Sequence, residues 1–144
     1  MSTLRITINQ CSIEDIEHFL FDNSCAFNPP FASSVDIVPY AQKLKRYAVL
    51  IELRDNDNLV GLLAAYINQQ TKVAYVPYVC VASENAGRGC GAKLLNALYE
   101  RCCGCRCVEL EVRVDNMKAT RFYEKNGFVI VEPRGDKYYM RKEI

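Results

Sequence analysis

The apolar and polar positions of this chain change period several times, and each change marks an element. "LRITINQ" (residues 4–10) alternates with period two and predicts a first strand. "SIEDIEHFLFDN" then switches to a helical period, with Ile13, Ile16, Phe19 and Leu20 on one face. Ser12 is its predicted N-cap and Asp15 stands at the third helical position, the pattern of a capping box. His18 lies off the stripe and is expected at the surface. "FNPPFASS" (residues 27–34) is expected to be irregular, because Pro29 and Pro30 each lack a backbone donor. A second helix is predicted from near Asp36, with Pro39 in its first turn and Ile37, Tyr40, Ala41 and Leu44 buried.

The middle of the chain returns to strands. "YAVLIELRD" and "LVGLLAAYINQ" are predicted strands joined across "NDN", and "VAYVPYVCVA" follows as the next. Pro77 inside that strand predicts that pairing fails on one side, or that a bulge intervenes, because proline cannot donate to a ladder. "GAKLLNALYERC" reads as a helix burying Leu94, Leu95, Leu98 and Cys102. "VELEVRV" is a strand with Glu109, Glu111 and Arg113 on one face and Val108, Leu110, Val112 and Val114 on the other. "NMKATRFYEKNG" is a short helix ending at Gly127, and "FVIVEP" with "KYYMRK" forms a closing hairpin. The order β-α-α-β-β-β-α-β-α-β-β predicts a mixed α/β fold in one domain spanning residues 1–144.

Composition narrows the class. The 144 residues are 50% hydrophobic and 24% charged, a globular balance. A net charge of +1 without a run of five like charges gives no reason to expect nucleic acid or a membrane surface as partner. No signal-peptide core and no span of 18 apolar residues is visible, so a cytoplasmic location is expected. Eight cysteines are many, and four crowd into "CCGCRC" as Cys102, Cys103, Cys105 and Cys107. That run has no second C-x-x-C and the single histidine is distant, so reduced thiols in apolar slots are expected and no metal site. A redox or metal role for the run is the alternative.

Three glycines at alternate positions, Gly87, Gly89 and Gly91, sit where the fourth strand gives way to a helix. Such a junction turns sharply and leaves its N–H groups uncovered beside a helix N-terminus, which suits a phosphate or pyrophosphate. Arg88 and Lys93 would add positive charge. The bland alternative is a tight strand-to-helix link. No G-K-[ST] follows, and G-x-G-x-G is not the dinucleotide fingerprint.

A second constellation bears on that choice. "LEVRVDNMKATRFYEKNGF" leads from an acidic strand through Asn116 and Ala119 to Phe122–Tyr123 and Gly127–Phe128. With "VASENAGRGCGAKLL" as a first motif and "N-x-x-A-x-x-F-Y-x-K-x-G-F" as a second, the sequence resembles the GNAT (GCN5-related N-acetyltransferase) superfamily over nearly its whole length. The resemblance implies a mixed, mostly antiparallel six- or seven-stranded sheet with splayed central strands four and five, flanked by about four helices. It implies that Ala86, Gly87, Arg88, Gly89, Cys90, Gly91 and Ala92 hold the pyrophosphate of acetyl-coenzyme A. Val79, Cys80 and Val81 would pair with the pantetheine arm, and the Val81 N–H would face the oxyanion. Ala86 departs from the Gln or Arg usual at the start of that loop, which removes a side-chain contact and leaves the backbone cradle.

The same resemblance makes Tyr123 the general acid for the departing thiolate, and Asn116 a cofactor contact. Core packing for Tyr123 and a plain N-cap for Asn116 are the structural alternatives. Glu111 lies where ribosomal-protein N-terminal acetyltransferases of this family carry their base, yet a solvated or paired carboxylate fits it as well. Phe27 and Phe31, with Pro29 and Pro30, are expected as an apolar wall of the acceptor pocket. Glu52, Tyr66, Asn68, Tyr75 and Tyr78 could line its strand side. The implied activity is acetyl transfer to a primary amine of a small molecule. A protein N-terminus or lysine as acceptor, or a non-catalytic acyl-coenzyme A-binding domain, are the alternatives. Edge pairing across a two-fold leaves a homodimer open.

Overall fold

The computed structural model describes residues 3–144. Among them the chain runs β1 (Leu4–Ile8), α1 (Ile13–Asp22), α2 (Phe31–Ser34), α3 (Ile37–Tyr47), β2 (Val49–Asp55), β3 (Asn58–Asn68) and β4 (Val73–Val81). It continues with α4 (Cys90–Arg101), β5 (Cys107–Arg113), α5 (Met117–Lys125), β6 (Val129–Arg134) and β7 (Lys137–Glu143). Single 3₁₀ turns occupy Ser24–Ala26 and Ser83–Asn85.

Local chemistry accounts for the helix starts. Ser12 caps α1 by accepting from the Asp15 N–H, while the Asp15 carboxylate accepts from the Ser12 N–H, each at 3.1 Å. Asn116 caps α5 through its side-chain oxygen to the Ala119 N–H at 3.0 Å. The stretch 27–34 is not irregular throughout, as its prolines suggest. Phe31–Ser34 forms one helical turn immediately after Pro30, which takes the N-cap position, where an absent donor costs nothing. The Ser24 hydroxyl accepts from the Ala32 N–H at 2.7 Å and anchors that turn.

The seven strands form one sheet in the order β1-β2-β3-β4-β5-β7-β6. Every neighbouring pair is antiparallel except β4–β5, whose parallel crossover is made by α4. The β4–β5 pairing is short: Val73 faces Cys107, Ala74 faces Val108, Tyr75 faces Glu109, and there it ends. On the β3 side the register shifts between Ala64 and Tyr66, which face Tyr78 and Tyr75 respectively. Pro77 therefore sits where one ladder has stopped and the other carries a bulge, so both expected consequences of that proline occur together.

Two cores cover the two faces. Ile16, Phe19 and Leu20 of α1 and Ala41 and Leu44 of α3 pack with Leu50, Leu62, Ala64, Tyr78 and Cys80. Leu94, Leu95 and Leu98 of α4 pack on the other face with Ala74, Val76, Val108, Leu110 and Met140. The extra residue at the bulge explains why Ala74 and Val76 belong to the α4 side while Tyr78 and Cys80 belong to the other. Period two is broken once, and every later side chain changes face.

Candidate active site

The fork between β4 and β5 is the centre of the site. Beyond Tyr75 the β4 edge facing β5 has no strand partner among the described residues, and this unpaired length contains Val79, Cys80 and Val81. The Tyr40 hydroxyl donates to the Pro77 carbonyl at 3.3 Å near the start of the opening. A β-edge with free main-chain groups can take an extended ligand as one more strand.

At the mouth of the fork lie residues 86–92. Ala86, Gly87, Arg88 and Gly89 are exposed, and Cys90 is the buried first residue of α4. The α4 N-cap is Gly89, which offers no side-chain bond, so the N–H groups of its first turn are left to solvent or a ligand. The helix dipole adds partial positive charge there, and Arg88 contributes a guanidinium 3.8 Å from the Asp55 carboxylate. An anionic group of phosphate size fits this chemistry.

The three glycines serve different ends. Gly87 and Gly89 have φ of +80° and +72°, in the left-handed region. A Cβ at either would meet nothing within 4 Å. Alanine there is opposed by backbone strain alone, and Gly89→Ala is expected to lower stability by about 1–2 kcal/mol in denaturant unfolding. Gly91 differs: its Cβ would lie 2.7 Å from Phe122 Cζ. Helix α4 therefore needs Gly91 to let the α5 aromatic approach, a packing demand that the glycine pattern did not separate from phosphate binding.

Tyr123 of α5 is buried, with ring centroids 5.3 Å from Phe122 and 5.6 Å from Phe128. Burial pushes its phenol well above the usual tyrosine range, with Cys80 and then Tyr99 adding to the shift. Its electrostatic neighbours are thus the forked strand and helix α4. Tyr123 packs in the core on the α4 side of the sheet. Asn116 is exposed and caps α5 at the end of the β5–α5 connection.

The sheet face not covered by α4 carries polar side chains beyond the reach of α1 and α3. Glu109 is paired with Arg141 at 3.0 Å, and Arg113 with Asp115 and Asp136. Glu111 instead accepts from the Tyr75 hydroxyl at 3.3 Å. Burial, then Glu111, raises the Tyr75 phenol. Tyr75 and Tyr66 both raise Tyr40, behind its own burial, so the three phenols cluster on this face. The Phe27 and Phe31 rings lie 5.6 and 5.2 Å from Tyr78, and Phe31 lies 5.2 Å from Tyr40. Tyr66 stands at the side of this cluster, with Lys43 5.7 Å from its ring.

Two strand residues expected near the acceptor lie elsewhere. Glu52 is fully buried beneath the β1–α1 turn, where it accepts from Thr7 Oγ1 and from the Gln10 and Cys11 N–H groups. Asn68 closes the β3–β4 turn by accepting from the Gln70 and Thr71 N–H groups. Tyr40, expected only on the buried face of the second helix, joins Tyr75 and Tyr66 in this cluster. The sequence signal for Tyr75 was its place opposite Glu109 across the short parallel ladder, which requires the register to be known. Among the described residues no group of three or more His, Cys, Asp or Glu could hold a metal ion, and no helix is long and apolar enough to cross a membrane.

This geometry agrees with the comparisons to known proteins. A family model described as the acetyltransferase (GNAT) family matches residues 16–128. No curated protein matches the chain. Among solved structures, the PaiA N-acetyltransferase of Thermoplasma acidophilum, in complex with coenzyme A, superposes with a TM-score of 0.76 at 19% identity, covering 97% of this chain and 99% of that one. Ard1 from Thermoplasma volcanium gives 0.77 at 24% identity over 96% and 97%. The ribosomal-protein-S18-alanine N-acetyltransferase of Escherichia coli gives 0.77 at 20% identity over 97% and 94%.

Proposed function

The chain belongs to the acetyltransferase (GNAT) family, and on that premise we propose that it transfers an acetyl group from acetyl-coenzyme A to the primary amine of a small molecule. The observation that carries this reading is the fork. The β4–β5 ladder stops at Tyr75 and Glu109, an uncapped helix start lies at its mouth, and a buried phenol neighbours its open edge. The coenzyme A complex of the PaiA N-acetyltransferase supports the same ligand for this fold.

Acetyl-coenzyme A supplies an acetyl group activated as a thioester. Of the expected cradle 86–92, the Ala86 N–H is already given to the Ser83 carbonyl at 3.2 Å, so the N–H groups of residues 87–92 would hold the pyrophosphate, and the free edge at Val79, Cys80 and Val81 would take the pantetheine arm. The Val81 N–H stabilises the oxyanion, as preorganised donors do where charge develops. Asn116 contacts the cofactor from the head of α5 while capping that helix. An amine must shed a proton to attack, and the Tyr75–Glu111 pair accepts it on the polar sheet face. Tyr123 returns a proton to the departing thiolate. Phe27 and Phe31, packed on Tyr78, close the end of the acceptor trough beside Tyr66, which favours a compact amine over a long peptide.

Coenzyme A release measured over a panel of amino sugars, amino acids, polyamines and short peptides tests this reading, beside a thermal-shift titration with acetyl-coenzyme A. Stabilisation with release on a small amine is the expected result. Stabilisation without release on any acceptor would instead indicate a non-catalytic binding domain, and release on peptides alone a protein acetyltransferase. Glu111→Gln is expected to lower kcat/KM for the amine about a hundredfold, within the range of a lost general base, while the acetyl-coenzyme A thermal shift is unchanged.

A further inference from the structure

The crowded cysteines after α4 have no part in the site just described, yet their geometry is specific. Cys102 is the C-cap of α4, and the Cys105 N–H donates to the Cys102 carbonyl at 2.8 Å, closing a four-residue turn. Gly104, third in that turn, has φ +92°, the conformation a type II turn demands at this place. A β-turn holds its first and fourth Cα atoms within about 7 Å, and disulfides span Cα separations of about 4.4–6.8 Å. The two thiols are electrostatic neighbours, since Cys105 raises the Cys102 thiol behind the effect of its own burial. Cys102 is buried, Cys105 half-buried, and Cys103 between them exposed.

We propose that Cys102 and Cys105 are a site of oxidative modification, forming a disulfide across the turn that joins α4 to β5. Hydrogen peroxide is the simplest oxidant. The more accessible Cys105 sulfur attacks a peroxide oxygen, giving a sulfenic acid and one water. The Cys102 sulfur then attacks the sulfenic sulfur, its proton leaves with the hydroxyl as a second water, and the S–S bond forms. Two thiols are oxidised by two electrons and the peroxide is reduced to two waters. Cys103 stays out of the bridge because adjacent residues do not present their sulfurs to each other as the ends of the turn do. The bridge would lie at the far end of α4 from the glycine loop, about 18 Å for twelve residues at 1.5 Å each. Binding at the loop should therefore be unaffected by it.

The test is direct because Arg101 and Arg106 bracket the turn, so trypsin releases it as the single peptide "CCGCR". The full-length protein is treated with dilute hydrogen peroxide, quenched in denaturant with N-ethylmaleimide, digested and read by tandem mass spectrometry. The expected product has lost two hydrogens and carries one maleimide, on Cys103, and two of the eight thiols return on reduction with dithiothreitol. Cys103→Ser, at an exposed position, should still lose two thiols, and Cys105→Ser should lose none from this peptide. Three maleimides on the oxidised peptide, a label on Cys102 or Cys105, or sulfonic acids in place of a bridge would each overturn the proposal. None of these outcomes depends on acetyl transfer.

Discussion

Tyr123→Phe is expected to lower kcat about a hundredfold or more, the loss typical of a missing general acid, while the affinity for acetyl-coenzyme A stays unchanged. The substitution removes one oxygen and keeps the ring that packs on Phe122 and Phe128, so the fold should survive. The phenol is raised by burial first, then by Cys80 and Tyr99. A raised acid keeps its proton through the neutral range, so the group is loaded when the thiolate departs. Steady-state kinetics with a pH profile check this. The residual activity of the variant should keep the acid limb of the wild-type profile, which belongs to amine deprotonation. A variant with full kcat would remove Tyr123 from the chemistry and return it to the core-packing role.

Glu52→Ala is expected to have the largest effect on stability, about 3–5 kcal/mol, the cost of removing one member of a buried polar group set. Glu52 is fully buried, and its two oxygens receive the Cys11 N–H at 2.6 Å, the Gln10 N–H at 2.9 Å and the Thr7 hydroxyl at 2.5 Å. Arg54 lies 3.8 Å away with little exposure. Alanine leaves all of these donors facing apolar surroundings, including the Cys11 thiol, which burial and Glu52 together hold at about 12. Against a total stability of roughly 5–15 kcal/mol this is a large share, and the melting temperature should fall on the order of 10 °C. Glu52→Gln keeps one accepting oxygen and should recover part of the loss. Thermal unfolding of both variants, with kcat measured on the folded fraction, separates the two readings of this carboxylate. Normal stability with lost turnover would put Glu52 back in the acceptor site.

The polar placement of Glu52 shows where linear patterning stops. Alternation along β2 assigns Glu52 a face, but that face is covered by α1, and its donors come from Thr7 of β1 and from the β1–α1 turn. The same limit explains Gly91. Its N–H belongs to the first turn of α4, yet the absence of its side chain is demanded by Phe122, thirty-one residues later. Tyr75 and Glu111 meet because a parallel register sets Tyr75 against Glu109, two residues before Glu111. The turn Phe31–Ser34 escaped the pattern because a proline pair that breaks structure before it also begins a helix well.

Local interactions, by contrast, were legible residue by residue. The Ser12–Asp15 capping box, the Asn116 cap, the buried stripe Leu94, Leu95 and Leu98, and the alternation of Glu109, Glu111 and Arg113 all act within a few positions of themselves. The interrupted pairing at Pro77 was equally visible, since a missing N–H is a property of one residue. From these the chain determined by itself its element order apart from α2, its glycine loop before a helix, and its two motifs at their separation. Tertiary structure alone decided that the ladder stops at Tyr75, that the bulge turns Tyr78 and Cys80 to the α1–α3 face, and that Phe27 and Phe31 close on Tyr78. The physical reason is range: capping, periodicity and proline act over one or two turns of chain. A carboxylate, a ring or a thiol takes its role from neighbours that only the packed sheet brings beside it.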